Sequence, residues 1–144
     1  MPNAERTIVV NKPIDEVFAF VADGTTAPMW RSGVLEIAKK SGDGKGAIYR
    51  QVVSGPGGRK IDADYEVTEY SAPTHMAFHA IAGPVRPNGS YDLKAQDGAT
   101  ALTFRLSAEL GGWKKLLMGG QVQKTMDAEM AALDKLKAVL ESQP

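Results

Sequence analysis

The sequence predicts an α+β domain in which a curved, seven-stranded antiparallel sheet, with two short helices after its first strand, wraps a long C-terminal helix over an internal cavity. Three observations carry this expectation. From Gly33 onward apolar and polar residues alternate with period two, and turn-forming residues interrupt the alternation at short intervals. The connections are too short for parallel crossovers, so neighbouring strands must run antiparallel. From about Trp113 to Leu140 there is no proline, and Met126, Met130, Leu133, Leu136 and Leu140 form one stripe at helical spacing.

The elements follow in order. Arg6 to Val10 is a short β-branched run that ends at Asn11-Lys12-Pro13, where proline disrupts a strand but suits a helix start. Asp15 and Glu16 then fall in a first helical turn, where they complement the positive end of the dipole, and Ile14, Val17, Phe18 and Val21 recur on one face. That helix fails around Asp23-Gly24. Thr25-Thr26-Ala27-Pro28 reads as the cap and first turn of a second short helix carrying Trp30. Breaks at Gly42-Asp43-Gly44, Gly55-Pro56-Gly57-Gly58, Ala72-Pro73, Gly83-Pro84 and Asp97-Gly98 delimit strands near 34–40, 46–54, 59–70, 75–82, 89–96 and 100–110. In the terminal helix, Gly119-Gly120 costs about 1 kcal/mol per glycine relative to alanine, which predicts a bend or break there.

Length and composition restrict the function classes. With 144 residues, 43% hydrophobic and 24% charged, residues 1–144 are expected to fold as a single domain around one core. Seventeen basic residues balance seventeen acidic ones, so no net field steers the molecule toward nucleic acid or anionic lipid. No apolar run approaches the roughly 20 residues of a membrane helix, which argues against stable membrane insertion. Met1 to Glu5 is polar, unlike a signal peptide, and a cytoplasmic location is expected. The absence of cysteine excludes disulfides, thiolate metal sites and cysteine nucleophiles. A homodimer is compatible with everything in the sequence.

Strand parity sorts side chains between the two faces of the sheet. Ile61, Ala63, Tyr65 and Val67 face inward, as do Met76 and Phe78, Tyr91 and Leu93, and Leu102, Phe104 and Leu106. On the strand from Gly46, Tyr49 and Gln51 compete with Ile48 and Val52, and the inward set is taken to be Tyr49 and Gln51. His75 and His79 fall by the same parity on the outer face, where no third metal ligand is evident, so neither a metal nor another cofactor is expected. The glycine-rich stretches Gly42 to Gly46 and Gly55 to Lys60 lack the phosphate-loop pattern and separate β-type runs, so they read as hairpin turns. Trp113-Lys114-Lys115-Leu116-Leu117-Met118 could touch a membrane surface, but reads better as the start of the terminal helix beside a cavity entrance.

The order strand, two short helices, six antiparallel strands and long helix resembles the helix-grip fold of the START-like, or SRPBCC, superfamily, over nearly the whole chain. Asn11-Lys12-Pro13-Ile14-Asp15-Glu16-Val17-Phe18, Met29-Trp30, Gly83-Pro84, Asp97-Gly98-Ala99-Thr100-Ala101-Leu102-Thr103 and Leu133-Asp134-Lys135-Leu136-Lys137 resemble its bacterial polyketide cyclase/dehydrase-type branch. These are turns, caps and core positions, specific for architecture and nearly silent on chemistry. The resemblance implies a cavity for a small hydrophobic molecule such as a lipid or polyketide. Its expected lining is Trp30, Tyr49, Gln51, Tyr65, Met76, Phe78, Tyr91, Leu93, Phe104, Leu106, Met118, Met126 and Met130. The sequence names no catalytic set: Tyr49, Tyr65 and Tyr91 can donate or polarise, and Asp23 and Glu109 are placed near the rim. A binding or carrier role leads; a metal-free cyclase, dehydratase or hydrolase, and a co-chaperone-like protein-interaction module, are the alternatives.

Overall fold

A computed structural model describes residues 2–110 and 112–143, including side chains except at Pro56 and 112–119. Strand β1 (Asn3–Val10) leads into helix α1 (Ile14–Ala22) and a 3-10 helix at Gly24–Met29. Strands β2 (Val34–Ser41), β3 (Ile48–Ser54), β4 (Lys60–Asp62), β5 (Tyr65–Ser71), β6 (His75–Ala80), β7 (Asn88–Gln96) and β8 (Ala99–Ser107) follow, and helices α2 (Gly112–Ala131) and α3 (Leu133–Glu141) close the chain. One antiparallel sheet runs β1-β8-β7-β6-β5-β3-β2, with β4 paired to β3.

The first helices begin and end for local reasons. Pro13 fixes the entry to α1 and its carbonyl accepts from the amides of Glu16 and Val17. Val17, Phe18 and Val21 are its buried face. Asp23, rather than Thr25, caps the 3-10 helix: its Oδ1 accepts from the Thr25 amide at 3.0 Å and from Thr25 Oγ1 at 2.7 Å. Thr26 Oγ1 donates to the Phe20 carbonyl at 2.7 Å, so the turn that carries Trp30 is pinned to the end of α1.

The seven expected strands become eight because the one expected at 59–70 is interrupted at Ala63-Asp64. The pairing with β3 keeps one register on both sides of the gap, Val52 opposite Asp62 and Tyr49 opposite Tyr65. At the gap the Asp64 carboxylate, not a main-chain carbonyl, accepts from the Gln51 amide at 3.2 Å. Irregularities between Val67 and Glu69, and twice along β2, bend the sheet further. Gly89 on β7 also serves the curvature, since the Phe78 ring lies over it and a Cβ there would fall 2.2 Å from the ring.

The terminal helix departs from expectation at another point. The backbone stays helical through Gly119-Gly120, and the boundary between α2 and α3 falls at Ala132. Ala132 itself keeps helical φ and ψ of −63° and −18°, its amide donates to the Ala128 carbonyl and its carbonyl accepts from Leu136, so α2 runs on into α3 with Met126, Met130, Leu133, Leu136 and Leu140 buried along one stripe. The core of Val10, Val17, Leu102, Leu133, Leu136 and Leu140 sits where α1, α3 and β8 meet. α2 packs on β1 at one side, where Gln123 donates to the Asn3 carbonyl and Arg6 to the Met130 carbonyl, and leaves space beneath it over the rest of the concave face. No described helix is long and apolar enough to cross a membrane.

Candidate functional site

A cavity of about 710 Å³ separates the concave face of the sheet from α2. Its floor is a band of rings from Tyr65 to Phe104, backed by Tyr49. Tyr49 stacks on Tyr65 with centroids 5.1 Å apart, Tyr65 meets Phe78 at 5.3 Å, Phe78 meets Tyr91 at 6.2 Å, and Tyr91 stacks on Phe104 at 4.6 Å. Trp30, from the 3-10 helix, closes the band edge-on against Phe104 at 6.4 Å. The band exists because strand pairing sets Tyr49 opposite Tyr65, Val67 opposite Phe78 and Tyr91 opposite Phe104, so inward aromatic positions of successive strands become lateral neighbours. Met76, Leu106, Val122 and Met126 complete the apolar wall. Exposed Ser32, Ser54, Asp62 and Lys124 mark the mouth.

One ion pair interrupts this wall. Arg31 Nε donates to Glu129 Oε2 at 2.6 Å and Nη2 to Oε1 at 3.0 Å, a two-bond fork, with the side chains only 18% and 17% exposed. Arg31 Nη1 donates to Gln51 Oε1 at 3.2 Å, and Gln51 Nε2 in turn donates to the Ala63 carbonyl at 3.1 Å. Burial works against the guanidinium charge, but the Glu129 carboxylate more than offsets it, and the Arg31 pKa lies above its ordinary value. Arg31 therefore stays protonated, and its fork on Glu129 ties α2 to the segment that precedes β2.

The two floor tyrosines behave differently. Burial, reinforced by its neighbours Tyr91 and Tyr49, raises the Tyr65 pKa well above that of a free phenol. Burial raises Tyr91 likewise, against the opposing influence of Arg31. Both remain neutral at physiological pH. Neither hydroxyl has a hydrogen-bond partner among the described residues, and no described side-chain polar atom is both sealed off and unpartnered, so both open onto the cavity. They can orient a polar group of a bound molecule.

Of the residues expected to line the cavity, Trp30, Gln51, Tyr65, Met76, Phe78, Tyr91, Phe104, Leu106 and Met126 do so. Tyr49, Leu93 and Met130 are buried in the surrounding core instead: Tyr49 backs Tyr65, and Leu93 and Met130 lie beyond the hollow. Met118, with the stretch 113–118, lies outside the residues whose side chains are described. Asp23 reaches the rim, occupied as a cap, while Glu109 does not line the cavity. His75 and His79 stand away from it. The His75 ring bridges Asp92 and Glu69, at 2.7 and 2.6 Å, and His79 meets Asn88 at 2.8 Å.

Sequence reasoning missed Arg31 and Glu129. Arg31 follows a helix rather than sitting in a strand, where parity gives no assignment. Glu129 carried a readable signal: it falls three residues after Met126 and one before Met130, on the buried stripe of α2. An acid at such a position needs a partner.

The sequence matches the profile of the family described as polyketide cyclase/dehydrase and lipid transport over residues 1–141. The chain belongs to that family. Its helix-grip, START-like architecture is shared by solved structures of low identity. A Thermus thermophilus protein is 18% identical, with a TM-score of 0.80 over 96% of this chain and 97% of the other. A START superfamily protein from Mycobacterium smegmatis is 14% identical, with a TM-score of 0.76 and the same coverage. The di-domain ARO/CYC StfQ of the steffimycin biosynthetic pathway is 12% identical, with a TM-score of 0.78 over 96% of this chain and 50% of that one. At these identities the likeness is one of fold. No curated protein matches the sequence. The polyketide cyclase/dehydrase family thus supplies the frame, and the lining of this member's cavity supplies its chemistry.

Proposed function

We propose that the protein binds a small hydrophobic molecule in the cavity beneath α2, with a lipid or polyketide-like metabolite as the class of ligand. The observation that carries this reading is an aromatic floor under about 710 Å³ of space, onto which two tyrosine hydroxyls open without protein partners among the described residues. That volume falls within the range of roughly 300 to 1,000 Å³ usual for small-molecule sites. The family description, which includes lipid transport, supports the same reading.

A second reading, a metal-free cyclase or dehydratase, is favoured by the gathering of Tyr65, Tyr91, Arg31 and Glu129 along one cavity. Binding is preferred for a physical reason. A general acid or base works best with a pKa near the operating pH, and burial moves both tyrosines away from it.

Native mass spectrometry of protein purified from its own host should reveal a co-purifying small molecule whose removal lowers the melting temperature. Tyr65→Phe and Tyr91→Phe should each weaken rebinding by less than about tenfold, the worth of one hydrogen bond. Protein that emerges empty, and is not stabilised by any lipid or aromatic polyketide offered to it, would show that the cavity is not a binding site. Loss of turnover in the Phe variants with binding intact would favour the enzyme.

A further inference from the structure

We propose that Glu129, by neutralising Arg31, keeps the cavity selective for uncharged hydrophobic molecules that carry a hydrogen-bond acceptor and unreceptive to anionic ones such as fatty acids, with Glu129 as the specificity-determining residue. The inference rests on the binding role proposed above and adds the charge class of the ligand.

A guanidinium facing an apolar cavity is the natural seat for a carboxylate, because its planar fork matches two acid oxygens. Here the Nε–Nη2 side of that seat is taken, and its charge is neutralised. Glu129 fills the fork at 2.6 and 3.0 Å, and Gln51, fixed in turn by the Ala63 carbonyl, takes the remaining terminal nitrogen. An anionic ligand would meet a carboxylate already in place, with little water to screen the repulsion. Pushing Glu129 aside would leave it largely buried and unpaired, which is costly. Nor does another described cation of the lining offer an alternative seat in depth: Lys124 is exposed.

Apart from the second hydrogens of the Arg31 terminal nitrogens, the donors along the cavity are uncharged. The Tyr65 and Tyr91 hydroxyls can donate, and the indole N–H of Trp30, likewise unpartnered among the described residues, can only donate. Three donors over an aromatic floor suit a carbonyl or ether oxygen on a ring system. The ion pair also fastens α2 to the segment before β2, but a purely structural clasp would not alter the preference between a charged and an uncharged ligand of one shape.

That distinction sets the test. Anilinonaphthalene sulfonate and phenylnaphthylamine share a ring system and differ by the sulfonate; both fluoresce on entering apolar sites. Mutual displacement establishes that they compete for one site. Their affinities are measured in the wild type, Glu129→Gln, Arg31→Gln and the double variant, whose pair positions carry net charges of zero, plus one, minus one and zero. The wild type should prefer the uncharged probe. Glu129→Gln should raise the sulfonate-to-amine affinity ratio by about tenfold or more, Arg31→Gln should lower it, and the double variant should return it close to the wild-type value. If one single variant does not fold, the other against the double still decides. A ratio indifferent to the charge at these positions overturns the proposal while leaving the cavity a binding site. If neither probe binds any form, it is the binding role that fails, and the selectivity with it.

Discussion

Gly24 shows how closely the cavity wall is fitted at the level of single atoms. A Cβ at this position would lie 2.2 Å from the Tyr65 hydroxyl and 2.8 Å from the Tyr49 ring, so even one methyl group forces the stacked pair to move. Gly24→Ala should destabilise the protein by about 1–3 kcal/mol in urea unfolding, the usual scale of overpacking. Tyr65→Phe in the same chain should recover part of that loss by removing the nearer atom. No recovery would mean that the strain lies in the 3-10 turn rather than against the ring. On the opposite face, His75 is held by Asp92, whose other oxygen accepts from Arg105 Nη1 at 2.7 Å, and by Glu69. The hydrogen bond to Asp92, then that to Glu69, raises the His75 pKa above its ordinary value near 6.5. The folded state therefore binds this proton more tightly than the unfolded chain. Its stabilisation is complete below about pH 6.5 and disappears as the pH climbs through the raised folded value. Melting temperatures from about pH 5.5 to 8.5 should fall more steeply for the wild type than for His75→Gln, and parallel curves would refute the assignment. At this scale the sequence was only partly readable. Parity placed both histidines and most floor residues, but an arginine outside any strand and one acid within an apolar helical stripe become partners only through tertiary contact.

Among the elements, β8 carries the clearest consequence. Phe104 is 1% exposed, stacked on Tyr91 and met edge-on by Trp30, so it is packed as core although it borders the cavity. Phe104→Ala should cost about 3–5 kcal/mol by denaturant unfolding. A much smaller loss would mean that the ring is only loosely seated beside open space. Two element assignments lay beyond sequence reasoning. Ala63-Asp64 interrupts a strand because a side-chain carboxylate replaces a main-chain acceptor, and no alternation pattern reports such a substitution. The helix runs through Gly119-Gly120 although each glycine disfavours it, because a helical backbone followed by a stripe of buried side chains outweighs a propensity cost of about 1 kcal/mol per residue.

For the molecule as a whole, the architecture was legible because its signals agree: turns between alternating runs, a proline at the first helix, and one long apolar stripe at the end. The same topology has a temporal side. β1 pairs along its whole length with β8, Asn3 opposite Ser107 and Val10 opposite Thr100. β1 and the turn after it are also stitched to the C-terminal segment: Arg6 bonds the Met130 carbonyl and Asp134, the Asn11 amide bonds Glu141, and Lys12 reaches the Gln143 carbonyl. A nascent polypeptide leaving the ribosome thus exposes this strand long before the segments that complete it have been synthesised. Folding must wait for those distant contacts, a slow kind of closure that leaves an unpaired β edge open to other chains in the meantime. The hollow under α2 is walled in part by Val122, Met126 and Glu129 of that late-made segment, so it is enclosed only once α2 has been synthesised.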